Sequence, residues 1–454
     1  MTASIFPFFE LYKMCRLAVC YDLQEQFSYI SATRSVFKLL SYYTKPLNDL
    51  PESLEDRINA MFSQIGNTYR LYMRYSAAYP DFIGMELSKV LYDAPCFADF
   101  LTSYDDEGLK QTAKNDFPGV SSDFFANARP HIVLTPHKKR EFDNESDAIR
   151  WIASTSLKKE TSKMPLLRFE DFLRVTNLSD MRHSAMALEE YKRSFAQSDL
   201  VFIPEIDWIH TSKHILTYAP FEEKEFRLTV NTEKALVYTI VQMILKDGFF
   251  MVFLPSFLKM TQDERLILVS HASDIRLSKK QHAFVLEFFD AFLKKDFKAL
   301  ALAIIKAGMT TPELSPVSLT SFCTRLYEEI KECSPATMCG LAIEALGKMG
   351  VSFPIEIRMI YMALLSIECL SGDKDIWEFL DLNDVRDWVS GEKYVQAQEE
   401  QEPADTVEEI RQNVLSVPPV AEGLQEVRAA KKASFVRDPD LVSKMIVRHE
   451  NDGE

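Results

Sequence analysis

The run Ile275-Arg276-Leu277-Ser278 followed by Phe284 to Phe297 (FVLEFFDAFLKKDF) and Leu300 to Gly308 (LALAIIKAG) decides how the chain is read. Phe284, Phe288, Phe289 and Phe292 recur at helical spacing, so 278–294 reads as one helix and 296–307 as the next. A phenylalanine stripe at that spacing is read as core before it is read as a lipid groove. Working outward, the chain stays helical toward the C-terminus near 316–332, 337–348 and 355–370. On the N-terminal side, Leu236 to Leu245 reads as a helix and Leu266-Ile267-Leu268-Val269 as a short buried strand.

Residues 116–225 have another texture. His131-Ile132-Val133-Leu134-Thr135-Pro136 is short, β-branched and bounded by prolines, and reads as a strand. Leu200–Ile203 and His214–Tyr218 are two further strand candidates, with an amphipathic helix over 179–197 before them. Residues 5–115 read as helices, with Pro51 in a first turn ahead of Glu52, Glu55 and Asp56. Residues 391–454 carry roughly 14 acids and 8 bases with Pro403, Pro418 and Pro419, and read as a mostly disordered tail with a short helix near 440–448. The organisation expected is therefore 1–115, a helical extension; 116–225, a small sheet with one long helix; 226–388, a helical lobe; and 389–454, an acidic tail.

Composition excludes several classes. Glycine is scarce, 13 of 454 residues, which favours helix and argues against a glycine-rich phosphate loop. With a 47% hydrophobic fraction the chain is too apolar to be disordered as a whole. At a net charge of −15 no nucleic-acid partner is expected. Seven cysteines with no C-x-x-C pair point to a reducing compartment, without a disulfide framework or zinc site. No uncharged run of ~18 apolar residues occurs, so no transmembrane helix is expected. Nor is a clear targeting peptide, since Glu10 precedes any base in the apolar stretch from Met1 to Cys20. That stretch reads as an amphipathic helix, with membrane-surface contact as the lesser alternative.

The order helical preface, small sheet, helical lobe is a kinase-like plan. The opening stretch resembles the UbiB/AarF family of atypical protein kinases, in which a strand ending in D-F-G leads to a turn ending in L-S, a helix, and a K-D-F/Y step. Other stretches agree in order. Ile65–Tyr69, Tyr79-Pro80-Asp81-Phe82 and Glu86–Leu91 look like the family's N-terminal extension; Ser179 to Phe195 looks like its αC-type helix. Phe202–Trp208 and His214–Thr217 are similar to the strands leading to its hinge, and Phe353-Pro354 with Ala363, Leu364 and Glu368 to a late helix. The fold class this implies is α+β: a mostly helical, kinase-like fold with a helical extension and a small antiparallel sheet.

Phosphoryl transfer needs a lysine on the phosphates, a glutamate fixing it, metal-binding carboxylate and amide groups, and a catalytic loop. Carried over by position, the resemblance puts Leu134 where the family has the lysine and Ser184 where it has the αC glutamate, with Ala187 one turn later. The H-x-D-x-H-P-G-N loop falls on Met251–Phe257, with Phe253 and Phe257 at functional positions and only a proline kept. The D-F-G falls on Ser270-His271-Ala272. The K-x-G-Q motif falls on Leu71-Tyr72-Met73-Arg74. No catalytic residue and no cofactor or metal ligand is thus expected: Leu134, Ser184, Phe253, Phe257 and Ser270 are degenerate positions. Lys138, Lys139, Glu189, Glu190, Asp274 and His271 could substitute only with rearrangement, and Arg70 with Arg74 could form an anion site one helical turn apart. His210 and His214 have zinc-like spacing but sit in an apparent strand–turn–strand, and Asp93, Asp99, Asp105 and Asp106 lack calcium spacing.

The resemblance implies a non-catalytic binding protein, a pseudokinase, in quinone (coenzyme Q-type) or isoprenoid-lipid metabolism at a mitochondrial or other membrane-associated compartment. A protein partner is expected, with a lipid or quinone and peripheral membrane contact as further possibilities. Two alternatives stay open: a structural subunit or assembly factor of a larger complex, and an unconventional ATPase using residues such as Asp274 and Lys138.

Overall fold

The computed structural model describes residues 6–26, 37–93, 106–121, 124–125, 131–160, 169–176, 180–254, 257–269, 274–372 and 375–390. The acidic tail and the short helix expected near 440–448 lie outside them, as do Asp99, Asp105, Ser270 and His271.

The extension is α1 (Phe6–Cys20), α2 (Leu54–Phe62), α3 (Asn67–Ser76), α4 (Pro80–Ile83), α5 (Met85–Asp93) and α6 (Asp106–Asp116). The Ser53 hydroxyl accepts from the Asp56 amide and caps α2, with Glu55 and Asp56 at its positive end. Helix α2 therefore starts at Leu54, and Pro51 lies ahead of it rather than in its first turn. The chain reaches α3 through Gly66, where a Cβ would collide with the Glu145 carboxylate. That carboxylate accepts from the Thr68 amide at 2.9 Å and so caps α3 from a distant helix.

Next come β1 (His131–Val133), α7 (Pro136–Glu160), α8 (Phe169–Thr176), α9 (Met181–Ser194), β2 (Val201–Phe202), β3 (Ile215–Thr217) and β4 (Lys224–Glu225). The expected single long helix is here three. Pro136 opens the 25-residue α7 instead of closing a strand into a turn, because proline's fixed φ and missing N–H suit a first helical turn. The sheet is also not simply antiparallel. Strands β1 and β3 pair antiparallel, but β2 pairs parallel with β7 (Leu266–Ile267), and β7, β6 (Lys259–Met260) and β4 continue antiparallel. A parallel pair needs a long crossover, and the chain between β2 and β7 supplies it, including the helix α10 (Val230–Gln242).

Helix α10 runs into a π-helical turn, Met243–Asp247, closed by Gly248 at φ 61°. A side chain there would also meet the His282 ring at 2.8 Å, so both backbone and space demand glycine. From Gly248 the chain enters β5 (Phe249–Met251), which pairs antiparallel with β8 (Asp274–Arg276).

The helical lobe is α11 (Lys279–Leu293), α12 (Phe297–Lys306), α13 (Pro316–Ile330), α14 (Pro335–Lys348) and α15 (Ile355–Ser371), close to the expected spans, and α16 (Leu382–Ser390). Ser278, Asp296 and Ser315 each cap the helix that follows. Helix α15 is buried along almost its whole length, and α14, α10 and the extension's α5 pack around it. Gly340 and Gly347 on α14 face α5 and α4: a Cβ would strike the Met85 thioether at the first and lie 2.6 Å from the Asp81 Cβ at the second. The extension is fastened to α15 by Arg358, whose guanidinium meets the Asp81 carboxylate at 2.6 and 2.9 Å with both side chains buried. The Ser88 and Tyr361 hydroxyls bond nearby at 2.8 Å. No helix among the described residues is long and apolar enough to cross a membrane.

Candidate functional site

The β5–β8 ladder pairs Met251 with Asp274, so the end of β5 lies beside the start of β8. The residues after β5 fall where the resemblance places the family's catalytic loop, whereas Ser270 and His271, where it places D-F-G, lie outside the described residues. Helix α9 packs on β3 and reaches β8.

The side chains at the positions carried over from the family are buried and uncharged. Leu134 follows β1, is 1% exposed, and its amide donates to the His214 carbonyl at 2.8 Å. Phe253 is 1% exposed; its amide donates to Ser366 Oγ at 3.3 Å and its carbonyl accepts from the Tyr92 hydroxyl at 3.0 Å. Phe257 is buried as well, and so is Met251. Ser184 is buried inside α9 with its Oγ lacking a hydrogen-bond partner among the described residues, and Ala187 is buried one turn on. None of these six side chains carries charge for a phosphate or a metal ion.

Of the residues that could have substituted, Asp274, Glu189 and Glu190 are engaged with neighbours. The Tyr191 hydroxyl donates to Asp274 Oδ1 at 3.2 Å. Burial, and next the Asp274 charge, hold the Tyr191 phenol far above its ordinary value, so it stays a donor. Glu190 is paired with Arg276, and Glu189 accepts from the Trp208 indole. Ser194 on α9 donates to Asp247 at the π-helical turn, and Gln242 Nε2 donates to Ser194. Burial pushes the Asp247 carboxyl up to about 6 against the lowering effect of the Ser194 bond. Tyr191 stacks on Phe249 at 4.6 Å, and the Arg276 guanidinium lies 4.4 Å above the other partner in that stack. Together these contacts tie α9 to β5 and β8. This polar seam was not legible as a unit, although Asp274 stood out.

Lys138 and Lys139 fall in the first turn of α7, where the Lys138 amide donates to Thr135 Oγ1. Arg70 and Arg74 are not brought together as an anion site. Arg70 donates to the Ile65 and Ser63 carbonyls at the end of α2, whereas Arg74 is buried with its guanidinium 4.2 Å over the Tyr92 ring. His210 is held by Asp207 at 2.8 Å and His214 by Asp116 at 3.1 Å. Among the described residues no cluster of three metal-ligating side chains occurs.

A concavity lies in the helical lobe. The stripe Phe284, Phe288, Phe289 and Phe292 on α11 forms one wall of a cavity of about 280 Å³, lined also by α10, α14, α15, the turn Ile376–Phe379 and α16. Its walls are almost wholly apolar. Trp377 is fixed over it by donating to Glu368 Oε1 at 2.9 Å, and the same carboxylate accepts from the Ala336 amide and the Ser334 hydroxyl.

No protein-family model matches the chain. The chain is 20% identical over 223 residues to a probable protein kinase UbiB of Marinobacter nauticus, covering 44% of this chain and 41% of the relative. The match thus spans less than half of either protein and links this part of the chain to kinase-like UbiB sequences. Among solved structures, the complex of Rv3197 with erythromycin from Mycobacterium tuberculosis aligns with 76% of this chain and 95% of its own, at 11% identity and a TM-score of 0.39.

Proposed function

We propose that this chain is a degenerate member of the UbiB/AarF type, a pseudokinase that acts by binding and not by phosphoryl transfer. One observation carries the reading. The positions where the family resemblance places the phosphate lysine and the catalytic loop are held by Leu134, Phe253 and Phe257, all at most 5% exposed. Asp274, the nearest carboxylate, accepts from Tyr191 and ties α9 to β8. That weighs against the unconventional ATPase.

The binding role we propose is that of a scaffold for a protein partner at a membrane-associated, reducing compartment such as the mitochondrion, in quinone or isoprenoid-lipid metabolism. A surface at the extension supports the membrane part. Six of the large apolar side chains exposed to solvent, Phe9, Tyr12, Leu39, Tyr42, Tyr43 and Leu47, fall within the first 47 residues. Lys13, Arg16, Lys38 and Lys45 are exposed among them. Aromatic and aliphatic groups mixed with bases suit the headgroup region of an anionic bilayer.

Two measurements test this. Millimolar ATP with Mg²⁺ should leave the melting temperature unchanged, because only a ligand of the native state raises it, and should release no phosphate; protein-dependent release of phosphate would refute the pseudokinase reading. Co-sedimentation with vesicles containing anionic phosphatidylglycerol should exceed that with neutral vesicles and fall on Lys38→Glu/Lys45→Glu. Equal or absent sedimentation would leave the assembly-subunit alternative as the better account.

A further inference from the structure

We infer that the cavity of the helical lobe is a binding site for one hydrocarbon chain of about ten carbons. The inference does not rest on the proposed function: phosphoryl transfer would overturn that reading and leave this one standing.

The walls define the ligand's chemistry. They are phenylalanines of α11, Met338, Ala342 and Ile343 of α14, and Ile360 of α15, with Trp377 across the top. Almost no polar atom reaches the space. A group that needs a hydrogen bond would lose its water and gain no partner, so a carboxylate, a phosphate or the ring oxygens of a quinone do not belong inside. Apolar cavities lined by Leu, Ile and Phe take up apolar molecules. At ~30 Å³ for each water-sized unit, about 280 Å³ holds on the order of ten carbons.

The rim says where the chain enters. Leu380 and Leu382 line the cavity, and Leu382 is more than half exposed, so the space opens beside the start of α16. The acids Asp381 and Asp384 flank these leucines in sequence. A head group leaving there meets negative charge, which favours an uncharged head over a carboxylate. Trp377, pinned by Glu368, keeps the roof in place with no ligand required to order it. The shared chemistry is a neutral-headed aliphatic chain, either linear, as in an acyl-derived lipid, or branched, as in a prenyl one.

The test uses the full chain with decan-1-ol and geraniol, two ten-carbon alcohols, one linear and one prenyl, and decanoate as the charged control. Titration calorimetry and tryptophan fluorescence should give saturable 1:1 binding of at least one alcohol. The tighter alcohol identifies the source, and decanoate should bind at least tenfold more weakly. Ala342→Phe fills the space from α14 and should weaken binding at least tenfold; if circular dichroism shows that variant unfolded, Ala342→Leu replaces it. No saturable binding of either alcohol up to its solubility limit overturns the inference, as does an affinity unchanged by filling the cavity.

Discussion

Replacing Arg358 by methionine should test whether the extension and the helical lobe are one cooperative body. Arg358 is 1% exposed. Its Nη1 and Nη2 meet Asp81 at 2.6 and 2.9 Å, its Nε donates to the Phe353 carbonyl at 3.0 Å, and its guanidinium stacks 4.6 Å from the Tyr79 centroid. Methionine keeps most of the stem's packing and removes all the polar contacts. The Asp81 carboxylate, 6% exposed, is then left with neither water nor counter-charge. Breaking one partner of a buried pair costs about 3–5 kcal/mol, mainly as the penalty of the stranded charge. Arg358→Met should therefore lose about 3–5 kcal/mol, and Asp81→Asn a similar amount because the guanidinium is stranded instead. The double variant Asp81→Asn/Arg358→Met strands no charge, so its loss should fall below the sum of the two by about 2–3 kcal/mol. Urea unfolding at neutral pH, followed by circular dichroism with a common slope, gives all three free energies. A loss under about 1 kcal/mol for Arg358→Met, or an additive double variant, would mean the pair is solvated and the extension not docked as described.

Two further outcomes are expected. Asp247 keeps its proton in the folded state up to about pH 6, whereas an unfolded carboxyl loses it near 3.9. The native state then binds more protons between those values, so its contribution to stability is present below about pH 4 and lost as pH rises through 6. At 1.36 kcal/mol per pH unit the whole fall is about 3 kcal/mol, of which about 2 kcal/mol lies between pH 4.5 and pH 7.5; Asp247→Asn should abolish it, read as urea midpoints at those two pH values. Gly347→Ala puts a Cβ 2.6 Å from the Asp81 Cβ and should cost about 1–3 kcal/mol by overpacking. Because it pushes Asp81 off Arg358, its cost should shrink in the Arg358→Met background, and a fully additive pair would count against that route.

The long periodic segments were legible because period and length agree. The helices α11 to α15 lie within a few residues of their expected spans, α16 had none, and the strands at 131–133, 201–202 and 215–217 fall inside the β-branched runs. The missed parts have identifiable causes. Helix α7 was hidden because Pro136 serves as both strand stop and helix start, and local sequence does not say which. Strands β5 and β8 have three residues each, too short to show a period, and only their pairing defines them. Leu134, Phe253 and Phe257 were read from position, and burial accords with their apolar chemistry. The Tyr191–Asp274 and Arg358–Asp81 contacts join segments far apart in the chain and leave no local trace. Arg358 did carry a signal in retrospect, as the single base of the mostly apolar α15. The scarce glycines carry more than helix content: Gly66 makes room for a carboxylate, Gly248 turns the chain, and Gly340 and Gly347 let two helices approach.

The fastening of the extension to α15 also sets an order of events during synthesis. Asp81 and Arg358 are 277 residues apart, and Ser88 and Tyr361 are 273 apart. At about 5–20 residues per second on the ribosome, the extension waits roughly 14–55 s for the helix it must grip. Through that interval the faces of α4 and α5 that end against α14 and α15 have nothing to cover them. The nascent chain is then most exposed to aggregation and most in need of a chaperone, and a truncation before α15 would leave the first ninety residues without their clasp.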